Sequence, residues 1–151
     1  MMQAFFDKIK LGPYRHGMAW VALSLMLAVH VVDETLTGFL TFYNPLAQAI
    51  REKITFLPLP IFTFQVWLIS LIIAVIILLL LSPFVFRGVR IMKTLSYLYG
   101  TIMIANGLLH ITGSIVLWRL LPGVYSSPLL LLFAVHLVVA TYKRYEWQAK
   151  T

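Results

Sequence analysis

The chain has 151 residues, of which 61% are hydrophobic and only 11% charged, with a formal net charge of +7. Globular domains are about 45–50% apolar and about 25% charged, so this composition excludes a soluble domain, a disordered chain, a coiled coil and a nucleic-acid-binding module. It contains no cysteine, which excludes disulfide staples, thiolate metal sites and thiol nucleophiles.

What remains is a single integral membrane domain over residues 1–151. A helix needs about 20 mostly apolar residues to cross the hydrocarbon, and four stretches qualify, at about 17–42, 61–86, 94–118 and 125–142. None alternates like a barrel strand, so the reading is all-α, a four-helix transmembrane bundle. The first stretch has a basic lead-in. Its length and its internal His30, Asp33 and Glu34 argue against a cleaved signal peptide.

In the first connecting loop, Asn44 followed by Pro45 reads as an N-cap and first helical position. That predicts a short interfacial helix over 45–54, ended before the LPLP stretch at 57–60. The second stretch is almost purely Leu, Ile, Val and Ala between Ser70 and Ser82, which predicts a lipid-facing helix.

Orientation follows from Lys and Arg. Lys8, Lys10, Arg15, Arg87, Arg90, Lys93, Lys143, Arg144 and Lys150 fall on one side of an even number of spans, and only Arg51, Lys53 and Arg119 on the other. Both termini are therefore expected in the cytoplasm, with the charge attracting anionic membrane lipids. Trp20, Tyr97, Tyr99, Tyr142 and Trp147 read as one aromatic belt, and Tyr43, Trp67, Trp118 and Tyr125 as the other.

Polar residues inside the first and third spans break the pattern. His30, Asp33 and Glu34 stand at i, i+3 and i+4, close to one helix face. Asn106 and His110 repeat the i, i+4 spacing on the third span. A charge at the bilayer centre costs about 2.5–3.5 kcal/mol on insertion scales, and ionisable groups there mark function. Counting from the cytoplasmic interface at about 1.5 Å per residue puts His30 and Asn106 both roughly 18–20 Å deep. If the first and third spans are neighbours, His30 meets Asn106, and Asp33 or Glu34 meets His110. Gly107 and Gly113 would let those two backbones approach closely.

No Lys or Arg lies centrally in any span to neutralise Asp33 and Glu34. Three solutions stay open. The carboxyls carry protons, because desolvation disfavours their charged form; they pair with imidazolium; or a divalent metal neutralises them. Zinc, iron or manganese suits a set of two imidazoles, two carboxylates and an amide. The candidate metal ligands are His30, Asp33, Glu34 and His110, with His136 on the fourth span as a further one, about 9 Å from the cytoplasmic interface by helical rise. A polar latch between helices is the plain alternative, although such bonds average only about 0.6 kcal/mol in membranes. His16 sits at the interface and is given no role. Arg119 reads as snorkelling to outer headgroups or holding a lipid phosphate. Ser114 reads as a backbone-bonded serine, or a relay.

The motifs HVVDE at 30–34 and NGLLH at 106–110, followed by Pro122 and Gly123, resemble the HXXEE family of small polytopic membrane proteins. The resemblance implies a bacterial cytoplasmic membrane and a site of His30, Asp33, Glu34, Asn106 and His110. It implies no particular reaction. Asp33 departs from the family's first Glu, shortening one carboxylate arm.

The reading that fits best is an intramembrane enzyme acting on a lipid or apolar substrate. In its metal version, hydrolysis, His30, His110 and one carboxylate hold the ion, the other carboxylate is general base, and Asn106 orients substrate, so Asp33, Glu34 and Asn106 are the catalytic candidates. A metal-free His–carboxylate pair would suit an acid–base isomerase. The alternatives are transport of a proton, metal ion or small solute, which with four helices requires an oligomer, or a non-catalytic membrane subunit with a packing latch.

Overall fold

A computed structural model describes residues 11–149, and they are helical almost throughout, with no strand among them. In chain order the helices are α1 (Leu11–Leu36), α2 (Phe39–Lys53), α3 (Phe64–Leu80), α4 (Ser82–Arg87), α5 (Ile91–Val116) and α6 (Ser127–Ala149). Four segments are long and apolar enough to cross a membrane: Tyr14–Leu36, Phe64–Arg87, Ile91–Val116 and Ser127–Tyr145. Lys8, Lys10 and Lys150 lie outside the described residues, as does the side chain of Trp147.

The first span ends six residues before the expected 42. Gly38 takes a left-handed conformation, φ 75°, which glycine tolerates and which stops α1. The Thr37 hydroxyl and amide both turn back onto the Asp33 carbonyl, at 2.6 and 2.9 Å. Residues 39–42, three of them apolar, belong to α2, a distinction hydropathy alone does not draw.

The interfacial helix starts earlier than expected too. It begins at Phe39 and carries Pro45 within its first two turns. Asn44 is not its cap: its amide holds the backbone of Phe62 in both directions, Nδ2 donating to the carbonyl at 2.8 Å and Oδ1 accepting from the amide at 3.2 Å. That clamp returns the chain to α3, whose N-cap Thr63 accepts from Val66 N–H.

The second span is interrupted at Leu81. α3 stops at Leu80 and α4 restarts at Ser82, because Pro83 supplies no N–H and its ring crowds the preceding turn. Ile69, Ile72, Ile73, Ile76, Ile77 and Leu80 of α3 are all about half exposed or more. In lipid this face needs no protein partner.

The core gathers Leu23 and Leu27 of α1, Val85 of α4, and Leu130, Ala134 and Leu137 of α6. Trp20 belongs to it rather than to a belt: it is 1% exposed, donates from Nε1 to the Leu78 carbonyl at 2.7 Å, and meets Tyr99 edge-on at 5.2 Å. Trp67 is also buried, stacked on Phe39 at 5.6 Å. Trp118, Tyr125 and Tyr142 are exposed, as belt residues would be.

α1 packs along α6 and against α3 and α4, while α5 packs along α6. The two spans bearing the polar motifs are thus not close backbone neighbours. Gly107 and Gly113 serve other contacts than the expected one. A Cβ on Gly107 would meet the Ser127 carbonyl of α6 at 3.2 Å, and one on Gly113 the Leu121 side chain at 2.6 Å.

A second polar knot ties the opposite end. His16 is fully buried, its Nε2 2.8 Å from Ser96 Oγ, while its Nδ1 accepts from Arg144 Nη1 at 3.1 Å. Arg144 is only 4% exposed and also donates to the Val85 and Phe86 carbonyls, at 2.6 and 3.4 Å. A cation on the last carbonyls of α4 complements that helix end. His16, expected to have no role, is thus part of a joint linking α1, α4, α5 and α6.

Candidate functional site

α1 delivers His30 and Glu34 one turn apart, and α5 delivers Asn106 and His110 one turn apart, so each helix offers a pair on one face. The long side chains bridge the space between α1 and α5. Glu34 Oε1 lies 3.1 Å from His110 Nε2 and 3.6 Å from His30 Nε2. Asn106 Nδ2 donates to His30 Nε2 at 3.0 Å. The imidazoles stand edge to face, ring centres 5.0 Å apart. His30, Glu34 and His110 are all buried, and one ligand atom from each lies within 4.8 Å of the others.

With α1 ending at Leu36, Asp33 and Glu34 occupy its last turn. On α5, Asn106 and His110 stand ten and six residues before its last residue, Val116.

Asp33 does not join the group. Its Oδ2 accepts from the backbone N–H and the hydroxyl of Ser126, at 2.8 and 2.7 Å. Ser126 immediately precedes α6, where free N–H groups favour an anion. On α1, residues i+3 and i+4 diverge by about 100°, so Glu34 faces α5 while Asp33 faces the start of α6. Asp33 as a metal ligand or general base is therefore corrected to a partner of Ser126. His136 is exposed on α6 and makes none of the group's contacts, which removes it as a ligand.

Gly123 closes the site. It is left-handed, φ 83°, and a Cβ there would fall 2.9 Å from His110 Cε1 and 3.0 Å from Glu34 Cγ. Its N–H donates to Thr37 Oγ1 at 3.2 Å, and its carbonyl accepts from Ser127 Oγ at 2.7 Å. Ser114 donates to the His110 carbonyl at 2.7 Å and accepts from Leu121 N–H at 3.0 Å, fastening the same loop rather than relaying protons. α2 covers the group from the other side, with the Phe39 ring 6.0 Å from His110. Arg119 is exposed and stacks over Phe42 at 5.2 Å.

An apolar groove of 410 Å³ runs between α1 and α3, lined by Val31, Val32, Thr35, Leu71, Ile72 and Val75 among others. It opens on the face of α1 turned away from Glu34, and none of the polar group lines it.

The donor set fits a divalent ion. Zinc bonds of about 2.0–2.1 Å in a tetrahedron separate ligand atoms by about 3.3 Å. The two separations from Glu34 Oε1, 3.1 and 3.6 Å, bracket that edge. Two imidazoles and one carboxylate make three protein ligands, the number that catalytic zinc sites use while keeping a fourth position open. Ser126 carries no such signal in the sequence, since a serine before Ser127 and Pro128 marks only a helix start.

No protein-family model, curated protein or solved structure matches this chain.

Proposed function

We propose that this protein is an intramembrane enzyme that hydrolyses a lipid or another apolar substrate at a divalent metal held by His30, Glu34 and His110. One observation carries the reading: a single carboxylate oxygen of Glu34 is shared by imidazoles from two different spans, 3.6 and 3.1 Å away. When bound, zinc, iron or manganese supplies Lewis acidity and lowers the pKa of water towards neutrality.

The chain's own residues do the rest. Glu34 offsets the ion's charge, and its second carboxylate oxygen stands ready to accept a proton. Asn106, whose Nδ2 donates to His30 Nε2 at 3.0 Å, is the amide nearest the group and the one to orient a substrate carbonyl or phosphoryl oxygen. α2 and the Gly123 loop exclude bulk water, which strengthens every interaction inside. The substrate class rests on location among four apolar spans.

The same reading places the chain in a bacterial cytoplasmic membrane within the HXXEE family, which the HVVDE and NGLLH motifs support. Both termini are cytoplasmic, on the asymmetry of Lys and Arg.

Lipid extracts incubated with reconstituted protein test the activity. Wild type is expected to release a hydrolysis product, and Glu34→Gln or a chelator to abolish it. Product formation that survives both overturns the proposal, as does a wild type that leaves every lipid class unchanged.

A further inference from the structure

The hydrogen bonds around Ser126 determine which nitrogen of His30 carries its proton. Ser126 Oγ has three polar neighbours: Asp33 Oδ2 at 2.7 Å, the Gly123 carbonyl at 3.3 Å and His30 Nδ1 at 2.7 Å. The hydroxyl has one hydrogen to give. Asp33 Oδ2 already accepts the Ser126 backbone N–H at 2.8 Å, so that oxygen is an acceptor, and a carbonyl can be nothing else. The hydroxyl hydrogen is therefore committed to one of these two. Towards His30, Ser126 Oγ has only a lone pair to offer, and Nδ1 must be the donor.

The other side of the ring agrees. Asn106 Nδ2 donates to Nε2 at 3.0 Å, which requires a lone pair there. The opposite tautomer would set two donors against each other at Nε2 and two lone pairs against each other at Nδ1.

We propose that Ser126, with Asp33 behind it, is the positioning residue of the His30–Glu34–His110 site. It locks His30 as the Nδ1–H tautomer and so keeps on Nε2, 3.6 Å from Glu34 Oε1, the lone pair that accepts from Asn106 and that a bound metal would take instead. Histidine ligands are oriented in this way by a donor bond from the nitrogen that does not bind metal, and losing the outer partner costs about 10–100-fold in metal affinity. The chain Asp33–Ser126–His30 joins the start of α6 to the last turns of α1, so it also fixes the ring's position. The role of Asp33 is thus one bond removed from the centre. The effect on metal rests on the function proposed above; the tautomer does not.

The test is ¹⁵N spectroscopy of imidazole-labelled protein in detergent micelles, without added metal. The His30 signals are identified by their loss in His30→Gln. Wild type and Ser126→Thr are expected to show a protonated Nδ1 and an unprotonated Nε2 at His30, and Ser126→Ala to lose that preference. In a parallel zinc titration, Ser126→Ala is expected to bind about 10–100-fold more weakly than wild type, and Ser126→Thr to restore affinity. A wild-type His30 protonated at Nε2 overturns the proposal, as does a Ser126→Ala spectrum identical to wild type. The wild-type spectrum decides the tautomer even where a variant fails to fold. If wild type binds no zinc while showing the Nδ1–H tautomer, the metal reading fails and the tautomer lock stands. If zinc binds but Ser126→Ala binds it equally well, the positioning role fails and the metal reading stands.

Discussion

Gly123 lets Glu34 and His110 meet beneath the loop before α6. Its φ of 83° is strained for any other residue, and a Cβ there intrudes on both site residues, at 2.9 and 3.0 Å. Gly123→Ala is expected to cost about 1–3 kcal/mol through backbone strain alone, and to push His110 off Glu34. Thermal unfolding in detergent, followed by circular dichroism, checks the first part; an unchanged melting curve would contradict it. His30, Glu34, Asn106 and His110 are legible in the sequence, because polar pairs at i, i+4 in an apolar span need a partner helix to face. The fate of Asp33 is not. Adjacent acidic residues on a helix diverge, and which of them meets a histidine depends on Ser126, whose role no local spacing announces. Gly123 carries no local signal beyond following Pro122.

At the scale of elements, hydropathy locates all four spans, and of their ends only that of the first is more than three residues off. Gly38 ends α1 within a stretch whose mean hydropathy carries on to Phe42, and Pro83 breaks the second span into α3 and α4. Local backbone chemistry overrides composition at both points. The knot around Arg144 is likewise out of reach, since Arg144 in a basic tail reads as a surface charge. It lies in a cradle that only glycine provides: a Cβ at Gly88, φ 76°, would stand 2.2 Å from Arg144 Nη2. Gly88→Ala is expected to evict the guanidinium from the carbonyls ending α4. Left-handed strain of about 1–2 kcal/mol and a lost charge-assisted hydrogen bond of about 1.5–3 kcal/mol then add. Chemical denaturation in micelles should show a loss of that size, and wild-type stability would contradict the role given to Arg144.

For the whole molecule, packing order is the least legible feature. Polar residues matched in depth suggest that the first and third spans are neighbours, yet α6 packs along both α1 and α5. The polar side chains reach across instead, and α6 contributes its own start, through Ser126, to the site. Orientation can be measured directly because the chain has no cysteine. With both termini cytoplasmic, a membrane-impermeant maleimide applied to intact cells is expected to label Thr55→Cys, in the α2–α3 connection, and to spare Val89→Cys, in the α4–α5 connection. The reverse pattern would invert the topology.

The centre itself is tested most directly by elemental analysis of the purified protein after loading with zinc, iron or manganese and removal of unbound ion. Wild type and His136→Ala should retain one ion per chain, while Glu34→Gln and His110→Ala should retain none. A wild type that retains no ion, or a His110→Ala that retains as much as wild type, would contradict the account.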